Sequence, residues 1–357
     1  MFSVPSIMQT LGELRDDTIL VKKSKDVGRL YNKSHFGKTV SGNKLQLDLL
    51  EGVFLLGEQK IKIMRQGKEI NFQDLVDLAA QKIPEFETKY LLFKDLRNRG
   101  QAIKLCEDKI PATFYKIKQK NDGEKQYFIV AFSERDIFDI TETKTRIKNI
   151  AKMGADAWYG IVDEEGDITY YDVSSLDIKG TLREHAFPTA RGVLFKNRMV
   201  IFDKTIGEKL LEKEFFGKPF GEGLQLSLVE GLYLSERNII DVYTSKSRKI
   251  SKEKFKKVVN TTQPDIELRL TVFKDLKKRG LIVKTGFKFG AHFRAYTKLP
   301  DKTHAEYLVN VVDKNFKSIW AEMSRAVRLA HSVNKEIVFA RVDVNKVDYV
   351  KLGRLRP

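Results

Sequence analysis

Three side chains near the C-terminus of this 357-residue chain, Tyr296, His304 and Lys335, form a set that can cleave RNA without a metal. A base removes the proton of a 2′-hydroxyl, which attacks the neighbouring phosphorus. An acid protonates the departing 5′-oxygen, and a cation stabilises the extra phosphorane charge. A tyrosine, with a reference pKa of about 10, needs positive charge nearby to act as the base; Lys288 and Lys335 are candidates. Read singly, each residue has a plainer explanation. Tyr296 closes the segment Lys284–Tyr296 (KTGFKFGAHFRAY) and fits an amphipathic strand. His304, after Pro300-Asp301-Lys302, fits a solvated loop, and Arg328, His331 and Lys335, spaced i, i+3, i+7, fit a solvated basic face as well as a phosphate-binding edge.

Competing metal chemistry lacks its residues. The C-terminal part offers no convincing carboxylate pair for a divalent ion, and no HxxxH or CxxC spacing for zinc. No metal and no cofactor is therefore expected.

The elements that must position these residues can be sketched from spacing. Phe287, Phe289 and Phe293 alternate as the core face of a strand would. The stretch 316–334 reads as a helix whose stripe Ile319, Trp320, Met323, Val327 and Ala330 is core, with Lys335 at its exit.

That unit occurs twice. Pro84–Gly100 (PEFETKYLLFKDLRNRG) aligns with Pro264–Gly280 (PDIELRLTVFKDLKKRG) at a spacing of 180, as do Phe36-Gly37-Lys38 with Phe216-Gly217-Lys218. At that spacing Tyr296 faces Lys116, His304 faces Glu124 and Lys335 faces Ala155, so only the second copy keeps the set. Each repeat should open with a strand (Thr18–Lys22, Gly192–Lys196), followed in the first by helices at Leu45–Leu56 and Phe72–Gln81. A proline-started helix stopped by Gly100 or Gly280 comes next. Then follow strands such as Tyr127–Phe132 and Tyr307–Val312, a long helix, and a strand pair such as 157–163 with 168–173. The expected fold class is mixed α/β (α+β): a tandem duplication, each repeat a small mixed α/β domain followed by a nuclease-like α/β domain with a central mixed sheet flanked by helices. The domains run 1–83, 84–178, 179–263 and 264–357, with a turn-rich join at 174–191.

Lys and Arg number 65 against 48 acids, a net charge of +17 and a pI near 9.6, which favours a polyanionic partner or else spreads as a solubilising charge. Cys106 is the only cysteine, so no internal disulfide exists and a reducing cytoplasm is expected. No apolar run reaches membrane-spanning length, and no membrane partner is expected.

The tandem organisation, VFKDLKKRGLIVKTGFKFGAHFRAY, HAEYLV, RLAHSVNK and the tail YVKLGRLRP together resemble the archaeal tRNA-splicing endonucleases over essentially the whole chain. The resemblance implies Tyr296 as general base, His304 as general acid and Lys335 as transition-state cation. It implies cleavage of precursor tRNA at the two bulges of a bulge-helix-bulge junction, with 2′,3′-cyclic phosphate and 5′-hydroxyl ends. Arg328 and Arg354 match the pair that sandwiches a bulged base, with Arg325 and Arg356 the nearest alternatives. It further implies a homodimer in which the acidic loop Asp163, Glu164, Glu165, Asp167 docks into a basic cleft of the partner; by itself that loop is equally a solvated hairpin turn. The competing class is a non-catalytic RNA-binding or assembly subunit on the same scaffold, and a divalent-metal nuclease is the other enzyme alternative.

Overall fold

The computed structural model describes residues 9–118, 126–299 and 304–357. The chain divides into two compact units: Met1–Asp136 with Asn149–Tyr171 and Leu355–Pro357, and Ile137–Lys148 with Asp172–Arg354. Both are mixed α/β.

In the first unit a six-stranded sheet runs in the order Lys38–Val40, Lys44–Asp48, Thr18–Val21, Thr10–Arg15, Ile61–Arg65, Lys68–Glu69. Residues 45–48, expected to be helical, are strand. Leu45 and Leu47 are fully buried while their neighbours face outward, a period of two. Asp48 then caps the helix Leu49–Gly57 in a reciprocal capping box with Glu51. The second unit repeats this plan: Gly223–Leu226 is strand, and Ser227 caps Leu228–Glu236 through Glu230.

The nuclease-like halves repeat as well. The helices Phe86–Asn98 and Ile266–Lys278 are followed by Gly100 and Gly280 at φ of 81° and 79°, backbone that glycine adopts without strain. In the second unit the strand order is Ile282–Thr285, Phe293–Tyr296, Tyr307–Asp313, Glu336–Asp343, Lys346–Leu355. Helix Ile266–Lys278 covers one face, sharing a core with Phe293, Ala295, Val309, Val338 and Ala340. Helix Trp320–Ser332 serves the other, where Phe138 meets Trp320 edge to face and Phe339 at a tilt.

Three further expectations are corrected. Lys317–Ile319 is not helix but a strand antiparallel to Ile137–Asp139, so Ile319 is 42% exposed and outside the buried stripe Trp320, Met323, Val327, Ala330. Phe287 and Phe289 lie in a 3-10 turn that breaks the strand alternation: Phe287 is 87% exposed, and only Phe293 reaches the core. The join at 176–189 is strapped to the second unit through Leu176 N–H to Tyr349 O (3.0 Å), Gly180 N–H to Arg279 O (2.9 Å) and Leu182 N–H to Gly280 O (2.8 Å).

The repeat also slips by one residue where it matters. Phe114 pairs with Ile129, and Phe293 with Val309, 180 residues after Ile129. Phe114 and Phe293 are thus equivalent, and Tyr296 corresponds to Ile117 rather than Lys116. Glu124 and Pro300-Asp301-Lys302 lie outside the described residues.

Candidate active site

Tyr296 ends its strand, buried among Ile282, Ala305, Leu182 and Phe215. Strand alternation turns it away from Phe293 and Ala295, onto the face served by helix Trp320–Ser332. Ala295 pairs with Tyr307, and Tyr307 with Glu336. The strand ends carrying Tyr296, His304 and Lys335 therefore lie side by side on three neighbouring strands. Continuing the ladder Ile337–Leu352 by two residues sets Arg354 level with Lys335 on a fourth.

Glu306 ties these ends together. Its carboxylate accepts from Thr297 N–H (3.0 Å) and Thr297 Oγ1–H (2.7 Å), beside Tyr296, and its carbonyl accepts from Glu336 N–H (3.0 Å), beside Lys335. His304, two residues before Glu306, is exposed.

Lys335 does not continue a helical row with Arg328 and His331. The helix ends at Ser332, and Asn334 takes the left-handed conformation (φ 54°), re-aiming the chain into the strand. Lys335 Nζ then donates to Val333 O (3.3 Å) and stands 5.5 Å from the Phe289 ring centre. Arg328 is exposed with no ion pair among the described residues, whereas Arg325 is held by Glu322 at 3.0 Å. Arg354 is exposed near the end of its strand.

Sequence reasoning missed Arg294. Its guanidinium carbon lies 5.8 Å from the Tyr296 ring centre, and its Nε is buried with no hydrogen-bond partner among the described residues. The signal was its place two residues before Tyr296, hence on the same strand face. His292 stands apart from Tyr296: its Nδ1 accepts from Val311 N–H (3.1 Å), and burial, with the nearby Arg269 charge, holds its pKa below the usual histidine range. With Arg269, Lys284, Asn197 and Ser227 it lines a cavity of about 110 Å³.

In the first unit, the acidic loop is a hairpin turn held by one of its own carboxylates. Asp163 Oδ1 accepts from Glu165 N–H (3.0 Å) and Asp167 N–H (2.9 Å), with Gly166 at φ 83°. Glu164, Glu165 and Asp167 are exposed, and Glu164 pairs with Arg135. The counterpart turn in the second unit, Asp343-Val344-Asn345-Lys346, is shorter by one residue and carries one acid.

Two matching halves, of which one gathers a tyrosine, a histidine and a lysine at adjacent strand ends, define a duplicated α/β protein. The family model for the tRNA intron endonuclease catalytic C-terminal domain matches residues 86–170 and 266–349, and that for the N-terminal domain matches 10–76 and 190–256. The chain belongs to the tRNA intron endonuclease family. It is 34% identical over 357 residues to a tRNA-splicing endonuclease of Methanococcoides burtonii, covering 96% of this chain and 99% of that protein. To the tRNA-splicing endonuclease of Methanosarcina barkeri it is 31% identical (96% and 99% covered), and to that of Haloferax volcanii 26% (92% and 95%).

Proposed function

We propose that this chain is a tRNA-splicing endonuclease that cuts precursor tRNA at both intron boundaries, at a bulge-helix-bulge junction, leaving 2′,3′-cyclic phosphate and 5′-hydroxyl ends. The observation that carries the reading is the strand register that brings Tyr296, His304, Lys335 and Arg354 to one end of one sheet.

In this reading the Tyr296 phenolate takes the 2′-hydroxyl proton, and the oxygen attacks the adjacent phosphorus. His304 gives a proton to the departing 5′-oxygen, and Lys335 stabilises the phosphorane. Arg294, beside the Tyr296 ring, adds a cation to the site. Arg328 and Arg354 stack on a bulged base, and Arg325, already paired with Glu322, is the weaker candidate.

The reaction needs no metal in this scheme, and among the described residues no group of three His, Cys, Asp or Glu side chains is placed to hold one. One site per chain and two cuts per substrate argue for a homodimer, with the loop at Glu164, Glu165 and Asp167 docking on the partner. We assign the domains to 1–83, 84–178, 179–263 and 264–357 and the protein to the cytoplasm; no helix among the described residues is long and apolar enough to cross a membrane.

The test is incubation with an intron-containing precursor tRNA in excess chelator, followed by analysis of the fragment ends. Cyclic phosphate and 5′-hydroxyl ends are expected. Intact RNA that is nevertheless bound would replace the enzyme with a binding subunit.

A further inference from the structure

The segment Thr244–Lys257 (TSKSRKISKEKFKK) carries seven Lys and Arg against Glu253 alone. Its counterpart 180 residues earlier, Met64–Asp77 (MRQGKEINFQDLVD), carries two against three acids. The local structure is the same in both: a strand end, a tight turn and a capped helix. Asn71 accepts from Asp74 N–H ahead of helix Phe72–Lys82, and Ser251 accepts from Lys254 N–H ahead of helix Lys252–Thr262. Leu75 and Ala79 are buried in one, Phe255 and Val259 in the other. The fold therefore does not require this charge, since the chain builds the same element without it.

Nor is most of the charge consumed internally. Lys249 pairs with Asp241 (2.7 Å) and Lys256 with Glu267 (2.8 Å). Lys246, Arg248, Lys254 and Lys257 are all exposed and have no ion pair among the described residues. Crowding unpaired cations raises self-repulsion, which an anionic partner relieves.

The segment is separate from the active site. Helix Lys252–Thr262 packs on helix Ile266–Lys278, and Val259 shares its core with Leu270 and Ala295. Tyr296 points to the opposite face of that sheet.

We infer that Thr244–Lys257 is a second RNA-contact surface, holding phosphates of the substrate outside the reacting junction. The inference rests on RNA as the substrate. Lysine and arginine on a turn and a helix read no base; they neutralise phosphates and release counterions, so their mark is salt dependence.

The experiment compares a variant with Lys246→Ser, Arg248→Ser, Lys254→Gln and Lys257→Gln against wild type. A control removes the same charge from the first repeat at the exposed Lys23, Lys25, Lys33 and Lys68, each to Gln. Binding to full-length precursor tRNA, and to a minimal RNA holding only the junction, is measured across a series of KCl concentrations. For the precursor, the slope of log affinity against log salt should become less steep by roughly 2–4 units, at about 0.7–0.9 for each phosphate that is no longer neutralised. Slope and cleavage on the minimal RNA should stay at wild-type values, and the control should match wild type throughout. Equal slopes for all three proteins would overturn the inference while leaving the endonuclease reading intact. A changed oligomeric state of the patch variant by light scattering would overturn it in favour of a protein-docking role. Wild type that neither binds nor cuts either RNA would overturn the inference together with the reading beneath it.

Discussion

Phe138 stands opposite Ser318, its own counterpart 180 residues on, in the antiparallel pair of Ile137–Asp139 with Lys317–Ile319. Two equivalent strands thus pair about their shared midpoint. The pairing seats Phe138 against Trp320 (ring centres 5.2 Å apart), the first residue of the helix that leads to Arg328 and Lys335.

The acid assignment is tested by His304→Ala. The residue is exposed, so folding should be unaffected, and cleavage should slow by roughly 10²–10⁴-fold with RNA affinity nearly unchanged. Single-turnover kinetics beside a binding assay read both, and wild-type cleavage would remove His304 from the reaction.

Arg294 is tested by its charge. If the guanidinium beside the Tyr296 ring serves the reaction, Arg294→Gln slows single-turnover cleavage and Arg294→Lys, which keeps the charge, recovers part of the rate. Equal rates for the two variants would reduce Arg294 to packing.

Asn334 is tested by a pair of substitutions. Asn334→Gly keeps the left-handed turn and should keep activity. Asn334→Val forces a β-branched residue to φ near 54°, costing about 1–2 kcal/mol, and should displace Lys335. Thermal melts and kcat, compared between the two, separate turn geometry from side-chain chemistry.

His292 predicts a pH dependence of stability. Its folded pKa is depressed by burial and Arg269, so below the unfolded value the unfolded chain binds more protons. The His292 contribution to stability should rise as pH climbs toward about 6.5 and level off above it. Denaturant titrations of wild type and His292→Gln between pH 5 and 8, on the order of one-unit steps, should show the difference between the two proteins changing in that direction.

The acidic hairpin is tested by reversing Glu164, Glu165 and Asp167 to Lys while sparing Asp163, whose carboxylate holds the turn. A folded protein with weakened self-association and slower cleavage is expected by sedimentation and kinetics. Unchanged assembly would leave the loop a solvated turn.

Much of this was legible in the sequence because it is local. Gly100 and Gly280 marked helix ends through their backbone freedom, and Trp320, Met323, Val327 and Ala330 declared a buried helix face by spacing. What escaped depended on partners far along the chain. Lys317–Ile319 reads as helix until Ile137–Asp139 pairs with it, and Leu45–Leu47 reads as helix until Thr18–Val21 lies beside it. Phe287 follows strand alternation that Gly286 and Gly290 interrupt with a turn. The one-residue slip that sets Tyr296 against Ile117 is invisible to constant spacing, because only the ladder to Val309 counts residues across the loop.

The self-matched pairing around Phe138 and Ser318 bears on how the protein responds to dilution. A surface that meets its own counterpart would, on two separate single-repeat chains, join them only as fast as they collide. Carried in tandem on one chain, the same pairing becomes intramolecular. Its effective concentration is then set by the chain between the two strands and not by the amount of protein in solution. The strand pair that buttresses the helix of Arg328 is then as complete in a sparse solution as in a crowded one.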